Sequence, residues 1–276
     1  MNKLRLFSII TINYNNLSGL QKTLESVVSQ TYRNIQYIVI DGGSTDGSKE
    51  YIQEKNEFID YWVSESDNGI YHAMNKGIKI AIGEYCLFLN SGDYLVDSEV
   101  LDQVINKKLD ADIIYGNLLK GNNNDYFLDK GISSSELTFL QLYNSTINHP
   151  ASFIKTSLFR NFGLYKEDFK IVSDWEFFFR VIIFHNVQVK YIDVNISYFD
   201  LAGISSKQLD LIKKERYEVI KSYFPELLIK EIDYYSSMKY DLNILEKIFK
   251  FPFLKKIFRG VGFLFKQIKR DNKSTN

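Results

Sequence analysis

An α/β fold built around a mainly parallel sheet is predicted by three features of the sequence. Strand-like and helix-like patterns alternate through the first half with brief connections, as βαβ units do. Several strands are apolar without alternation, which is expected where helices cover both faces of a sheet. Carboxylates and glycines gather where those strands end, the edge at which open parallel sheets take their ligands.

The segment RLFSIITIN reads as the first strand. Lys3 and Arg5 followed by LFSIITI faintly resemble a secretory signal, but the apolar run is short and Asn13-Tyr14-Asn15-Asn16 is no cleavage site, so a first strand is expected. Leu20, Leu24 and Val27 or Val28 mark a helix face. NIQYIVID follows as a strand, DGSKEYIQE as a short helix and IDYWVS as a third strand. YHAMNKGIKIAI is helical, and YCLFLN is a central strand that breaks into Asn90-Ser91-Gly92-Asp93. DSEVLDQVINKK is a helix leading to strand DIIYG. After Gly116 the regularity fades, and KGNNNDYFLDKG reads as a turn-rich loop or hairpin. A helix SDWEFFFRVIIF, a strand VQVKYI and a helical stretch from Lys207 onward complete the chain.

The 276 residues suffice for one large domain with an appendage. A single cysteine excludes an internal disulfide framework and suits a reducing compartment. No run approaches the roughly 20 apolar residues that span a bilayer. The net charge of zero conceals an asymmetry: Lys247 to Asn276 holds nine Lys/Arg against one acid, leaving 25 basic and 33 acidic residues before it. Within that tail, Leu254, Ile257, Phe258, Val261, Phe265 and Ile268 fall at helical spacing among Lys and Arg. A basic amphipathic helix of this kind suits an anionic membrane surface, or docks its apolar stripe on the domain.

Two nucleotide-binding motifs are excluded. GGSTDGSK has the P-loop glycine spacing, Gly42 to Gly47, but Ser48 stands in the lysine position and Asp41 and Asp46 would repel phosphates. No G-x-G-x-x-G follows a strand. Asp41, at a strand end before a double glycine, is placed to accept hydrogen bonds from a ligand that approaches the backbone. Asp46 reads as the cap of the next helix. Asp93 is either a cap in a tight turn or a piece of chemistry.

Taken in order, TINYN, VIDGGSTDGS, SESDNGIYHAMNKG, FLNSGD, NHPASF and SDWEFFFR resemble family 2 glycosyltransferases of the bacterial surface-polysaccharide type, over roughly residues 5 to 205. The resemblance implies a GT-A, Rossmann-like α/β fold with a mixed, mainly parallel central sheet. The catalytic domain would be residues 1–206, with a nucleotide-binding half to about 116 and an acceptor-binding half from 117. Residues 207–276 would form a helical C-terminal extension. The implied activity is inverting transfer of a sugar from a UDP-sugar to a glycan acceptor, lipid-diphosphate-linked, by a cytoplasmic enzyme at the inner face of the membrane, with no nucleic-acid partner.

By the same resemblance Thr11 and Asp41 hold the base, and Asp67 and Lys76 flank the nucleotide-sugar. His72 stands where the family commonly has Asp, which leaves the donor sugar open. Asp93 is the expected ligand of Mg²⁺ or Mn²⁺, with Asn90 shaping the turn or touching the sugar; such ions need only one or two protein carboxylates beside phosphate oxygens. Asp174 matches the catalytic base at a helix start, with Glu176 as its competitor. His149 is expected near the diphosphate, metal or acceptor, and Trp175 to stack on the acceptor or pack. Two other readings are a sugar nucleotidyltransferase, whose basic phosphate loop TINYNNLSGL lacks, and a noncatalytic glycan-binding module, which needs neither Asp93 nor Asp174.

Overall fold

A computed structural model describes residues 5–122, 125–201 and 208–249, with side-chain detail through Met238. The basic amphipathic segment expected from Phe251 onward lies outside the described residues. The chain divides into two compact units, Met1–Val219 and Ile220–Asn276. That division falls within a helix, beyond the 206/207 boundary expected from the sequence.

Among the described residues nine strands form one sheet. Strands β1 (Phe7–Asn13), β2 (Ile35–Asp41), β3 (Tyr61–Ser64) and β4 (Tyr85–Phe88) run parallel, in the order β3-β2-β1-β4. Their crossovers carry helices α1 (Leu17–Val28), α2 (Ser48–Glu54) and α3 (Ile70–Ile80). Every residue of β1 and β4 is buried, which explains why neither strand alternates. A short β5 (Tyr94–Leu95) and helix α4 (Val100–Asn106) follow.

The remaining sheet order is β8-β6-β9-β5, with β6 (Ile113–Asn122), β8 (Ser152–Lys155) and β9 (Val189–Asp200). β8 is antiparallel to both β4 and β6, so the sheet is mixed. The turn-rich stretch after Gly116 is the hairpin of β6 with β7 (Asp125–Asp129). Helices α5 (Phe139–Asn144), α6 (Thr156–Phe162) and α7 (Ser173–His185) follow around β8; α8 (Leu209–Tyr223) and α9 (Glu226–Phe249) complete the described chain.

Packing follows from the residue pattern. Leu20, Leu24 and Val27 recur at helical spacing and enter the core formed with Phe7, Ile9, Val39 and Leu87. Asn16 caps α1 by accepting from the Gly19 N–H at 3.1 Å. On α3, a Cβ at Gly77 would lie 2.5 Å from Ile10 Cγ2, so only glycine lets this helix sit so close to β1. These contacts bring the ends of β1, β2, β3 and β4, with the starts of α1 and α3, to one edge of the sheet.

Candidate functional site

The site residues converge on that edge. Asp41, the last residue of β2, is fully buried and accepts four hydrogen bonds: from Asn13 Nδ2 (2.7 Å), Ser44 Oγ (2.6 Å), Ser44 N (3.0 Å) and Ser64 Oγ (2.6 Å). Burial pushes its carboxyl up, but donors from Ser44, Ser64 and Asn13 outweigh this and hold it below the ordinary range. It is ionised and fully engaged within the protein. A base edge would therefore reach Asp41 by exchanging with one of the serine hydroxyls. Thr11 is fully buried one layer below, its hydroxyl 3.2 Å from that of Tyr37.

Around Asp41 the loops come close. A Cβ at Gly42 would sit 3.2 Å from the Tyr14 ring and 3.3 Å from Asp67 Oδ2. Gly43 has φ +80°, a backbone state that side chains resist. Tyr14 is 69% exposed beside this surface. Lys76, on α3, bridges Asp67 Oδ1 (2.5 Å) and Glu65 Oε1 (2.8 Å). His72 Nδ1 accepts from the Asn68 N–H at 3.2 Å and lies equally far from Asp67 Oδ1. Because that nitrogen is an acceptor here, the contact with Asp67 is proximity rather than an ion pair.

The turn after β4 is tied to the ends of the neighbouring strands. Asn13 Oδ1 accepts from Ser91 Oγ (2.6 Å), and Asn16 Nδ2 donates to the Ser91 carbonyl (2.9 Å). Gly92 has φ +106° and lets the chain turn Asp93 inward. Asp93 is 3% exposed; its Oδ1 accepts the Asp200 N–H at 3.2 Å, and among the described residues its Oδ2 is buried without a partner. Burial pushes the carboxyl from 3.8 up to about 7, against the opposing charge of His149. Among the described residues Asn90 Oδ1 is also buried and unpartnered.

Asp174 is the second residue of α7. Its Oδ2 lies 2.9 Å from His149 Nδ1, and its Oδ1 2.9 Å from the Tyr71 hydroxyl. Burial raises this carboxyl, but the hydrogen bond and charge of His149, with the Tyr71 hydroxyl, bring it below the ordinary value. An ionised carboxylate only accepts, so His149 Nδ1 carries the proton and donates. Among the described residues the other ring nitrogen, Nε2, is buried without a partner. His149 is thus hydrogen-bonded to Asp174.

The two neighbours of Asp174 that the sequence offered for chemistry are occupied elsewhere. Glu176 is fully buried, with Arg180 Nε at 3.0 Å and Lys166 Nζ at 2.9 Å from its Oε1. Trp175 is 2% exposed, donates to the Leu142 carbonyl at 2.7 Å and has the Arg216 guanidinium 4.5 Å from its ring centre. Its ring thus packs, and leaves no open face for an acceptor sugar.

Sequence reasoning did not single out Asn13, Tyr71, Asp200 or Glu215. Asn13 was legible as a polar residue closing an all-buried strand. Tyr71 lies within the motif SESDNGIYHAMNKG on α3, while Asp200 and Glu215 come from later elements and carry no local signal.

A divalent cation fits Asp93 in part. The orphaned Oδ2 and the Oδ1 of Asn90, three residues earlier, are oxygen donors of the type Mg²⁺ and Mn²⁺ take. Among the described residues, no group of three or more His, Cys, Asp and Glu is gathered to hold a metal unaided. Remaining ligands would have to come from a bound diphosphate and water.

The chain is similar in sequence and fold to known proteins. Residues 8–169 match the family model described as "Glycosyl transferase family 2". An uncharacterized glycosyltransferase of Mycobacterium tuberculosis is 35% identical over 206 residues, spanning 72% of this chain and 76% of that protein. A PGL/p-HBAD biosynthesis glycosyltransferase of Mycobacterium bovis is 30% identical over 215 residues, spanning 74% and 81%. Among solved structures, S. aureus TarS 1–349 in complex with UDP superposes with a TM-score of 0.56 at 21% identity, over 71% of this chain and 60% of that one. The mannosyltransferase PcManGT of Pyrobaculum calidifontis, in complex with GDP-Man and Mn²⁺, gives 0.54 at 15% identity, over 70% and 56%.

Proposed function

The chain belongs to glycosyl transferase family 2, and on that premise we propose that it transfers a sugar, with inversion, from a UDP-sugar to a hydroxyl of a glycan acceptor. The observation that carries this reading is two carboxylates at the edge of the sheet, Asp93 buried and Asp174 partly buried, the second hydrogen-bonded to His149. One has an oxygen without a partner; the other is held ionised. The match of residues 8–169 stops short of Asp174, so its role rests on this geometry.

Asp174 would take the proton from the acceptor hydroxyl as that oxygen attacks the anomeric carbon. The bond from that carbon to the diphosphate breaks on the opposite face, and a single displacement inverts the centre. A positioned base contributes typically 10²–10⁴-fold. His149 and Tyr71 hold the carboxylate in one orientation, the alignment that displacement requires. A cation held by Asp93 and the donor's own diphosphate would supply charge stabilisation to the leaving group. Asp41, Asp67 and Lys76 would line the donor side, with Asn90 near the sugar.

Neighbouring structures were solved with UDP, UDP-GlcNAc and GDP-Man, which supports a nucleotide-sugar and leaves two bases to compare. An acidic strand end suits the imide N–H of uracil and the N1–H of guanine alike; we carry UDP forward from the family resemblance. The acceptor is proposed to be lipid-linked and the chain to bind an anionic membrane surface through its basic tail. Among the described residues no helix is long and apolar enough to cross a membrane. A panel of UDP- and GDP-sugars, assayed for nucleoside diphosphate release with Mn²⁺, tests the proposal. Release from a UDP-sugar is expected; pyrophosphate formation would indicate a nucleotidyltransferase, and binding without release a glycan-binding module.

A further inference from the structure

The segment that presents Asp174 is held from outside by a residue no motif contains. Helix α7 begins without a side-chain cap at Val172. The three backbone N–H groups just before it all point at one carboxylate: Glu215 on α8 accepts from Lys170 N at 2.8 Å, Ile171 N at 3.0 Å and Val172 N at 3.3 Å. Three successive N–H groups of this kind form a concavity that selects an anion. Glu215 fills it, and is only 8% exposed.

The same stretch is held from its other side. The Tyr71 hydroxyl lies 2.5 Å from the Ile171 carbonyl and 2.9 Å from Asp174 Oδ1, so one group touches both the segment and the carboxylate it carries. Beside Glu215, Arg216 reaches past the segment, covering the Trp175 ring and donating to the Asn144 carbonyl at 3.1 Å. Adjacent residues of α8 therefore grip the chain on both sides of Asp174. Both lie beyond residues 8–169, the span shared with the family.

We propose that Glu215 is a positioning residue for Asp174, setting where the base stands by holding residues 170–172 in one conformation. This deepens the transferase reading and rests on it. A carboxylate is needed because it presents only acceptors. Gln in its place would turn an NH₂ group toward N–H donors and leave at least one of them without a partner.

The test compares the full chain with Glu215→Gln in three measurements: hydrogen exchange over residues 166–175, affinity for UDP, and steady-state release from whichever donor the wild type turns over. Exchange at residues 170–172 should quicken by at least about tenfold while β1 and β2 keep their rates. UDP affinity and donor KM should stay within about twofold, and kcat should fall about tenfold to a hundredfold, the scale of a base displaced by an ångström. Glu215→Asp, which keeps the charge but shortens the reach, should be intermediate in both exchange and kcat, and decides the matter if the Gln chain does not fold. Unchanged exchange at 170–172 overturns the proposal, as does faster exchange with an unchanged kcat. Exchange and UDP binding need no turnover. A wild type that releases nothing from any donor therefore counts against the transferase reading, while exchange still judges the clamp.

Discussion

Replacing Asp93 by Asn should stabilise the ligand-free protein while abolishing transfer. A buried carboxyl whose oxygen lacks a partner resists ionisation, and burial moves it from 3.8 to about 7. The folded chain therefore holds this proton at pH values where the unfolded chain has released it. The carboxyl does no harm below the unfolded value. Its cost grows as pH climbs to about 7 and is constant above that. With about 1.4 kcal/mol for each tenfold change, the cost is at most about 1.7 kcal/mol at pH 5 and about 4 kcal/mol at pH 8. Asn keeps the acceptor for the Asp200 N–H and removes the charge.

Denaturant unfolding of both chains at pH 5 and pH 8, in EDTA without nucleotide, reads this difference. Asp93→Asn should gain stability at both values and more at pH 8, by up to about 2.6 kcal/mol over its gain at pH 5. For a chain of this size each kcal/mol raises Tm by about 2–4 °C. A variant equally or less stable than wild type at pH 8 would refute the reasoning, since Asp93 would then be paired or solvated. A gain that does not depend on pH would show that the carboxyl does not titrate as its burial requires.

Three further outcomes are expected. EDTA should lower nucleoside diphosphate release on the order of 10²-fold or more, with recovery on adding Mn²⁺ or Mg²⁺; undiminished release in EDTA would remove the cation from Asp93. Glu176→Gln should cost about 3 kcal/mol by leaving Arg180 unbalanced beside a buried neutral group, while the folded fraction keeps its turnover; loss of turnover at unchanged stability would restore Glu176 as the base. Truncation before Phe251 should release the protein from anionic liposomes in co-sedimentation with donor hydrolysis retained, and an intact chain that stays in the supernatant would contradict a membrane role for the tail.

Local pattern made the nucleotide-binding half legible. FSIITIN and YCLF are apolar throughout because β1 and β4 are interior strands, and their ends mark the sheet edge. The mixed sheet was readable only through family resemblance, since β8 turns antiparallel through contacts with β4 and β6 that residues 152–155 do not announce. Asp93 and Asp174 stood out as carboxylates at a strand end and a helix start. What separates Asp174 from Glu176, two residues on, is burial against Arg180 and Lys166, a three-dimensional fact. Trp175 was open between stacking and packing until Arg216, 41 positions later, was found over its ring. Tyr71, inside the motif SESDNGIYHAMNKG, reaches Asp174 across 103 positions, and Glu215 reaches its loop across 43–45; nothing in the neighbourhood of Glu215 signals it.

The central claim is that Asp174 takes the acceptor's proton. It is tested most directly by transfer with Asp174→Asn beside wild type, using the donor the wild type turns over, with UDP binding measured on both. The variant keeps the size of the side chain and an acceptor for His149 or Tyr71 but cannot take up a proton. The account predicts that UDP binding stays within a few-fold while kcat falls by 10²-fold or more. Transfer by Asp174→Asn at the wild-type rate would contradict it.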